Sequence, residues 1–313
     1  MECFLIDGGG SVFKLPVLLK WCFSYGCGKP CDSFEICLMY QRELLEVLEG
    51  AVRFKATRQG ETVFLGPVDE MEIKATREGA LAFVRGRGMQ ALLLDNESEA
   101  AQYYSAGLET VLEKYVRPYG ITGIRQSCKP GGIPLTVSSG ESAWRALEAY
   151  MRFSCGVSPR FLRDGTLLLG SEQGRRLKIG AETGVFDLSY SRRRYGVISE
   201  VLVKSKATGA VSRVLNQERL DEGGVCRRII NVPRNTRFDA MRLTGEYQIS
   251  ASKEKERVIR LTLAEQFAAF PGDIAELRGV PAAPEGNYFV GETKCFGSET
   301  GAGTELILTG RAE

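Results

Sequence analysis

This sequence predicts a mainly β fold with a small α/β insertion in its middle. Three observations predict it. Short apolar runs that alternate with polar residues at period two fill residues 1–90. Helix-period spacing and a helix-capping signature mark residues 91–180. Strand patterns then return over residues 181–313. Those bounds are the expected domain organisation: two β regions of comparable size around a helix-containing module, with no low-complexity linker.

The elements follow in order. Phe4-Leu5-Ile6 is a short apolar run, ended by the turn signal Asp7-Gly8-Gly9-Gly10. The glycines lack the G-x-x-x-x-G-K-[ST] form and no clear helix follows, so a turn is expected rather than a phosphate loop. Phe34 to Met39 and Ala51 to Ala56 read as strands. Tyr40 to Leu48 admits a short helix or a broken strand pair. Thr62 to Ala75 continues the alternation, with a turn expected at Gly66-Pro67. Leu81 to Arg87 is a further strand.

In the middle, Leu108, Val111, Leu112 and Tyr115 recur at helical spacing, closed by Pro118 and Gly120. Ser138 and Glu141 stand three apart in the capping-box pattern and are expected to open a helix. Trp144, Leu147 and Met151, with Ala143 and Ala146, would share its buried face, and Gly156 would stop it. Trp21 is likewise expected in the core. Phe161 to Leu169 reads as a hairpin around Asp164-Gly165. Beyond residue 181, strands are expected at Tyr195–Lys204, Arg227–Val232, Val258–Leu263, Ile274–Arg278, Tyr288–Cys295 and Glu305–Thr309. Asp239 to Ser250 mixes helix and strand signals and is not placed. The two β regions share no repeated motif.

Composition excludes much chemistry. The 313 residues carry 41 Lys plus Arg against 39 Asp plus Glu, for a net charge of +2. A dedicated nucleic-acid binder is usually far more basic. There is no histidine. That removes Ser-His-Asp and Cys-His catalysis, His-ligated zinc and histidine general bases. The start Met1-Glu2-Cys3 lacks a basic leader region, so export is not expected and the thiols are expected to stay reduced in a cytoplasm. No stretch approaches the ~18 apolar residues of a membrane span.

Four of the nine cysteines cluster as Cys22-x4-Cys27-x3-Cys31-x5-Cys37. The spacing matches neither zinc knuckles nor iron–sulfur motifs, so small buried hydrophobes are the expected role. Asp95, Glu97 and Glu99 form an acidic cluster without a calcium-loop signature. A solvated loop or an intersubunit salt bridge is expected there. Arg192-Arg193-Arg194 and Arg175-Arg176-x-Lys178 are basic runs, expected on a solvated or subunit-contacting face. Gly86-Arg87-Gly88 is expected to be a turn. No catalytic, cofactor-binding or metal-binding residues are predicted.

One segment carries a specific resemblance. Gly86-Arg87-Gly88-Met89-Gln90-Ala91-Leu92-Leu93-Leu94-Asp95-Asn96-Glu97 is followed by Tyr103-Tyr104-Ser105 and then by Lys114-Tyr115-Val116-Arg117-Pro118-Tyr119-Gly120. It resembles the baseplate hub proteins of contractile phage tails, prophages and tailocins, in particular the hubs of Gram-positive defective prophages. The Ser-Gly-Glu-Ser-Ala-Trp stretch at 139–144 and Gly286-Asn287-Tyr288-Phe289-Val290-Gly291-Glu292 are similar to later parts of such hubs. The resemblance spans most of residues 50–313.

It implies two tail-tube-like β-barrel domains per chain and a homotrimeric ring that presents pseudo-sixfold symmetry around an axial channel. One face would meet the sixfold tail tube or its initiator, the other a threefold central spike. Tape-measure and baseplate-wedge proteins would be neighbours in a particle assembled in the bacterial host cytoplasm. The barrel edges and residues 91–120 would form interfaces. The resemblance implies a structural protein with no enzymatic activity, no cofactor, no membrane insertion and no direct contact to nucleic acid. The competing readings are a tail-associated cell-wall hydrolase with paired carboxylates and a DNA-binding module built on Arg192–Arg194.

Overall fold

The computed structural model describes residues 1–26, 31–77, 79–172, 174–205, 208–232, 238–254 and 256–312. The fold is mainly β with a few helices, as the sequence predicts. The first half contributes β1 (Glu2–Asp7), β2 (Val12–Lys14), β3 (Leu18–Gly26), β4 (Ser33–Met39), α1 (Leu45–Gly50), β5 (Ala51–Arg58), β6 (Glu61–Thr76) and β7 (Gly79–Arg87). Asp7 ends β1 because its carboxylate accepts the Gly9 and Ser11 amides at 2.9 and 2.8 Å, an Asx turn. Between β4 and β5 the helical alternative holds.

No turn forms at Gly66-Pro67. β6 is one continuous 16-residue strand that changes neighbour there. Up to Pro67 it pairs with β5; from Val68 onward it pairs with β7. Pro67 has no N–H to give a ladder, so it suits the point where one partner ends. Gly66 has no room for a side chain: a Cβ would lie 1.9 Å from the Arg87 carbonyl oxygen.

The sheet formed by these strands curls. Phe23 on β3 and Phe54 on β5 have ring centroids 5.9 Å apart although β4, β7 and β6 lie between them in the strand order. Phe34 stacks on Phe54 at 4.2 Å, and Phe64 joins the group. All four rings are buried.

The middle of the chain builds α2 (Ala91–Leu94), β8 (Glu97–Ser98), β9 (Ala101–Ala106), α3 (Leu108–Tyr115), β10 (Ile124–Gln126), β11 (Ile133–Val137), β12 (Glu141–Ser142), α4 (Ala143–Cys155), β13 (Arg160–Phe161) and β14 (Leu167–Leu169). α3 and α4 pack on a core that includes Leu93, Val111, Leu112, Leu147, Tyr150 and Met151. Trp144 lies half-buried beside Phe161, and Trp21 packs against the first half's core. Gly120 and Gly156 adopt the left-handed conformation that ends helices (φ 76° and 70°). Gly165 (φ 83°) turns the β13–β14 hairpin as expected.

The capping box at Ser138 is a correction. Ser142 caps α4, its hydroxyl accepting the Arg145 amide at 3.3 Å. Ser138 and Glu141 instead close a turn: the Ser138 amide donates to the Glu141 carboxylate at 2.9 Å, and that carboxylate also takes Arg145 Nε at 2.8 Å.

The rest of the chain forms β15 (Arg176–Ile179), β16 (Val185–Arg192), β17 (Glu200–Ser205), β18 (Val211–Leu215), α5 (Gln217–Asp221), β19 (Arg227–Val232), α6 (Phe238–Glu254), β20 (Arg257–Leu263), β21 (Ile274–Leu277), β22 (Gly286–Ser298) and β23 (Gly301–Ala312). The strand expected from Tyr195 starts only at Glu200; Gly196 (φ 85°) sits in a turn. The unplaced Asp239–Ser250 stretch lies within α6. That helix covers a three-stranded sheet, β18-β17-β19, through Met241 and Ile249. Gly245 permits the close approach: a Cβ there would lie 2.6 Å from a Val214 methyl. On the sheet's other face the Glu200 carboxylate is held by Arg227 and Arg213, which keep it below the usual carboxylate range.

The two halves share one sheet. Its strand order is β16-β20-β23-β22-β3-β4-β7-β6-β5-β1-β2, with β21 and β15 branching from β22. Among the described residues this path is open: its strands are not closed into two separate barrels, because β3 spends its second edge on β22 of the other half.

The halves repeat each other in register. In the β6–β7 hairpin, Thr76 faces Gly79 at the tip, and the pairing slips between Val68 (facing Gly86) and Glu70 (facing Arg85). In the β22–β23 hairpin, Ser298 faces Gly301 at the tip, and the slip falls between Val290 (facing Leu308) and Glu292 (facing Ile307). Counted from the tips, the slips coincide. A second slip coincides too. β3–β4 slips between Leu18 (facing Leu38) and Lys20 (facing Cys37). β16–β20 slips between Val185 (facing Leu263) and Asp187 (facing Thr262). Cys37 and Thr262 in turn face Phe83 and Glu305, equally far past their tips. Bulges of this kind bend a strand and raise its twist. The unit β3-β4-β7-β6 therefore recurs as β16-β20-β23-β22.

Candidate functional site

The feature shared by both halves is the polar face of the common sheet. One cross-strand row runs Arg87, Ser33, Ser24, Lys294, Glu305, Thr262, Asp187, each residue facing the next across β7, β4, β3, β22, β23, β20 and β16. A neighbouring row runs Glu70, Arg85, Glu35, Cys22, Phe296. The opposite face carries Phe23, Phe34, Val84 and Leu306 into the cores.

Charge on the polar face is internally matched. Arg85 sits within 3.4–3.6 Å of Glu35, Glu70 and Glu72. Lys294 Nζ lies 3.2 Å from Glu305. Arg87 forks onto two carboxylates, Asp69 at 2.7 Å and Asp95 at 2.6 Å. The pairing holds Asp95 below its usual range. A shallow depression beside these pairs is lined by Cys22, Ser24, Ser33, Glu35, Glu70 and Arg85. The arrangement suits a wetted wall: mixed signs at close spacing leave little net field and few exposed apolar groups.

The residues singled out in the sequence fall as follows. Asp95 is spent on Arg87, and Glu97 faces Ser142 across the short β8–β12 pair. Among the described residues, no group of three or more Cys, Asp or Glu side chains is placed to hold a metal ion. Cys27 lies outside the described residues. Cys31 and Cys37 are buried free thiols and Cys22 is a half-buried one. Burial pushes the Cys31 thiol up to about 11, and its Sγ donates to the Gly88 carbonyl at 3.4 Å. Such a thiol is protonated near neutrality and a poor nucleophile. Arg192 is engaged by Glu256 at 2.8 Å and Glu222 at 2.7 Å. Arg175 binds Asp273 at 2.9 Å and the Ala268 carbonyl at 2.8 Å. Among the described residues, no helix is long and apolar enough to cross a membrane.

The sequence matches no family model and no curated protein. The structure matches solved tail proteins along nearly its whole length. A tail protein from Neisseria meningitidis MC58 superposes with a TM-score of 0.78 at 15% identity, covering 98% of this chain and 96% of that one. The 43 kDa tail protein of prophage MuSo2 from Shewanella oneidensis gives 0.72 at 16% identity, covering 98% and 97%. The chain has the fold of phage and prophage tail proteins. The tail-protein fold extends to a type VI secretion component of Escherichia coli, described as structurally similar to the T4 tail proteins gp27 and gp5. That match has a TM-score of 0.64 at 10% identity and covers 95% of this chain and 74% of that one.

Proposed function

We propose that the chain is the structural hub of a contractile tail or related injection particle. Three copies form a ring that adapts a sixfold tail tube to a threefold spike around an axial channel. The observation that carries this reading is the repeat: one chain holds two copies of the same four-strand unit, joined through β3 and β22 into one sheet. Three such chains present six equivalent units. A head-to-tail contact between copies closes a ring when the rotation fits. The polar sheet face then lines the channel, and the apolar face stays in the cores.

The role is one of geometry, without catalysis, and its place is in the assembled tail. Arg192 spends its guanidinium on Glu222 and Glu256, so the DNA-binding alternative loses the first residue of its basic run. Light scattering on the purified chain tests the ring. The expected molar mass is three times 34.4 kDa. A monomer at every concentration up to the solubility limit would overturn the reading.

A further inference from the structure

The internal junction supplies a template for the junction between copies. β3 lies along the stretch of β22 that β21 has left: Glu292 faces Gly26, Cys295 faces Phe23 and Ser298 faces Lys20. The counterparts of these two strands are β16 and the end of β6. Among the described residues, β16 pairs only with β20, and β6 from Val68 to Ala75 pairs only with β7. Both therefore present an unpaired backbone edge, an aggregation hazard unless something covers it. Their side chains are correspondingly less covered. Phe23, Ser24 and Tyr25 on β3 are buried, whereas Tyr190 on β16 is half-buried and Ser191 and Arg192 are exposed.

We propose that β16 of one copy pairs antiparallel with Val68–Ala75 of β6 in the next copy, with Glu70 facing Arg193 and Ile73 facing Tyr190. This rests on the hub reading and names the seam of its ring. The register follows by carrying each residue of the β22–β3 junction to its counterpart in the other half. The result is chemically matched. Glu70 meets an arginine, and Lys74 lies diagonal to Asp187, close enough to interact across strands. Met71 and Ile73, which pack at the first half's core, fall on the same sheet face as Leu188 and Tyr190, which pack at the second half's core. A slip of one residue would put these apolar side chains on the polar face, so the register is strongly specified.

Paired cysteines test the seam. Facing residues of an antiparallel pair have Cα atoms about 4.5–5.5 Å apart, within disulfide reach. The double variant Glu70→Cys with Arg193→Cys is oxidised with copper phenanthroline beside the parent. A covalent trimer, reversed by reductant, is expected only in the variant. Glu70→Cys with Asp187→Cys displaces one partner by roughly 20 Å along the strand and is expected to match the parent. Equal cross-linking in both variants, on a protein that light scattering shows to be trimeric, would overturn the seam and leave the hub standing. A monomeric parent would overturn both. Charge exchange gives an independent reading: Glu70→Arg and Arg193→Glu each weaken the trimer at least ~10-fold, about 1.4 kcal/mol, and the double exchange restores it. Failure of the double exchange to restore it would also overturn the register.

Discussion

Gly66→Val is expected to destabilise the fold strongly, with a much lower melting temperature and a reduced soluble yield. At this position a Cβ would meet the Arg87 carbonyl oxygen at 1.9 Å and the Gly88 Cα at 2.8 Å. Both obstacles are backbone, held by the β6–β7 pairing, so neither can rotate away. Gly86 faces the same crossing: its Cβ would lie 2.1 Å from the Pro67 carbonyl oxygen. Relief requires β6 and β7 to separate where β6 changes partner. Overpacking that forces backbone shifts costs about 1–3 kcal/mol and occasionally more, and backbone contacts under 3 Å that no side-chain rotation relieves put Gly66→Val at the upper end of that range or above it. A chain of ordinary stability holds about 5–15 kcal/mol in reserve. Soluble yield and far-ultraviolet circular dichroism melts check this. Gly50→Ala, with open space around its Cβ, serves as the control and is expected to melt like the parent. A Gly66→Val protein that melts with the parent would contradict the crossing geometry.

The second large effect is expected from Phe54→Ala. Phe54 is fully buried and its ring stacks on Phe34 at an interplanar angle of 16°. It also contacts Phe23 on β3, with three strands between them in the sheet order, and Phe64 on the neighbouring β6. Truncation leaves a cavity in the centre of the curl, with a cost of about 3–5 kcal/mol. Urea unfolding measures it as a lowered midpoint with an unchanged slope. Tyr104→Ala, at a residue 83% exposed, is expected to stay within about 0.5 kcal/mol of the parent. An equal response from the two variants would show that the curled aromatic core does not hold the first half together.

These effects locate what was legible in the sequence. β4 and β5 were legible because buried Phe34, Ile36 and Leu38, and Phe54 and Ala56, recur at period two, although β4 starts one residue before the expected Phe34 and β5 runs two residues past the expected Ala56. Two strands of the junction logic were not. Leu18–Gly26 places Trp21 and Phe23 beside Cys22 and Ser24, and its apolar character on both faces hides the period. Val185–Arg192 is an edge strand with exposed Phe186 and polar neighbours, so it reads as a loop. Gly66-Pro67 carried the usual signal of a turn, but the same two residues also suit a strand that loses one neighbour and crosses another closely. Ser138 matched a cap pattern that Ser142 fulfils one helical turn later.

The repeat left only scattered identities, such as Val68 with Val290, Glu70 with Glu292 and Gly79 with Gly301, too few to form a motif. Ile73 answers to Cys295 and Tyr190 to Phe23, and such pairs share a burial requirement but no letter. What is conserved between the halves is pairing: which residue faces which, and where the register slips. Those facts belong to hydrogen bonds between strands, which period-two patterning within one strand does not encode. The polar face was legible only as scattered charges, because its rows assemble from strands far apart in the chain.

Electron microscopy of the purified protein tests the central claim most directly. Class averages viewed down the symmetry axis should show a closed ring with an axial hole and six similar lobes, paired two to a chain by the β3–β22 junction. Particles without an axial hole, or rings whose lobes do not number six, would contradict the account.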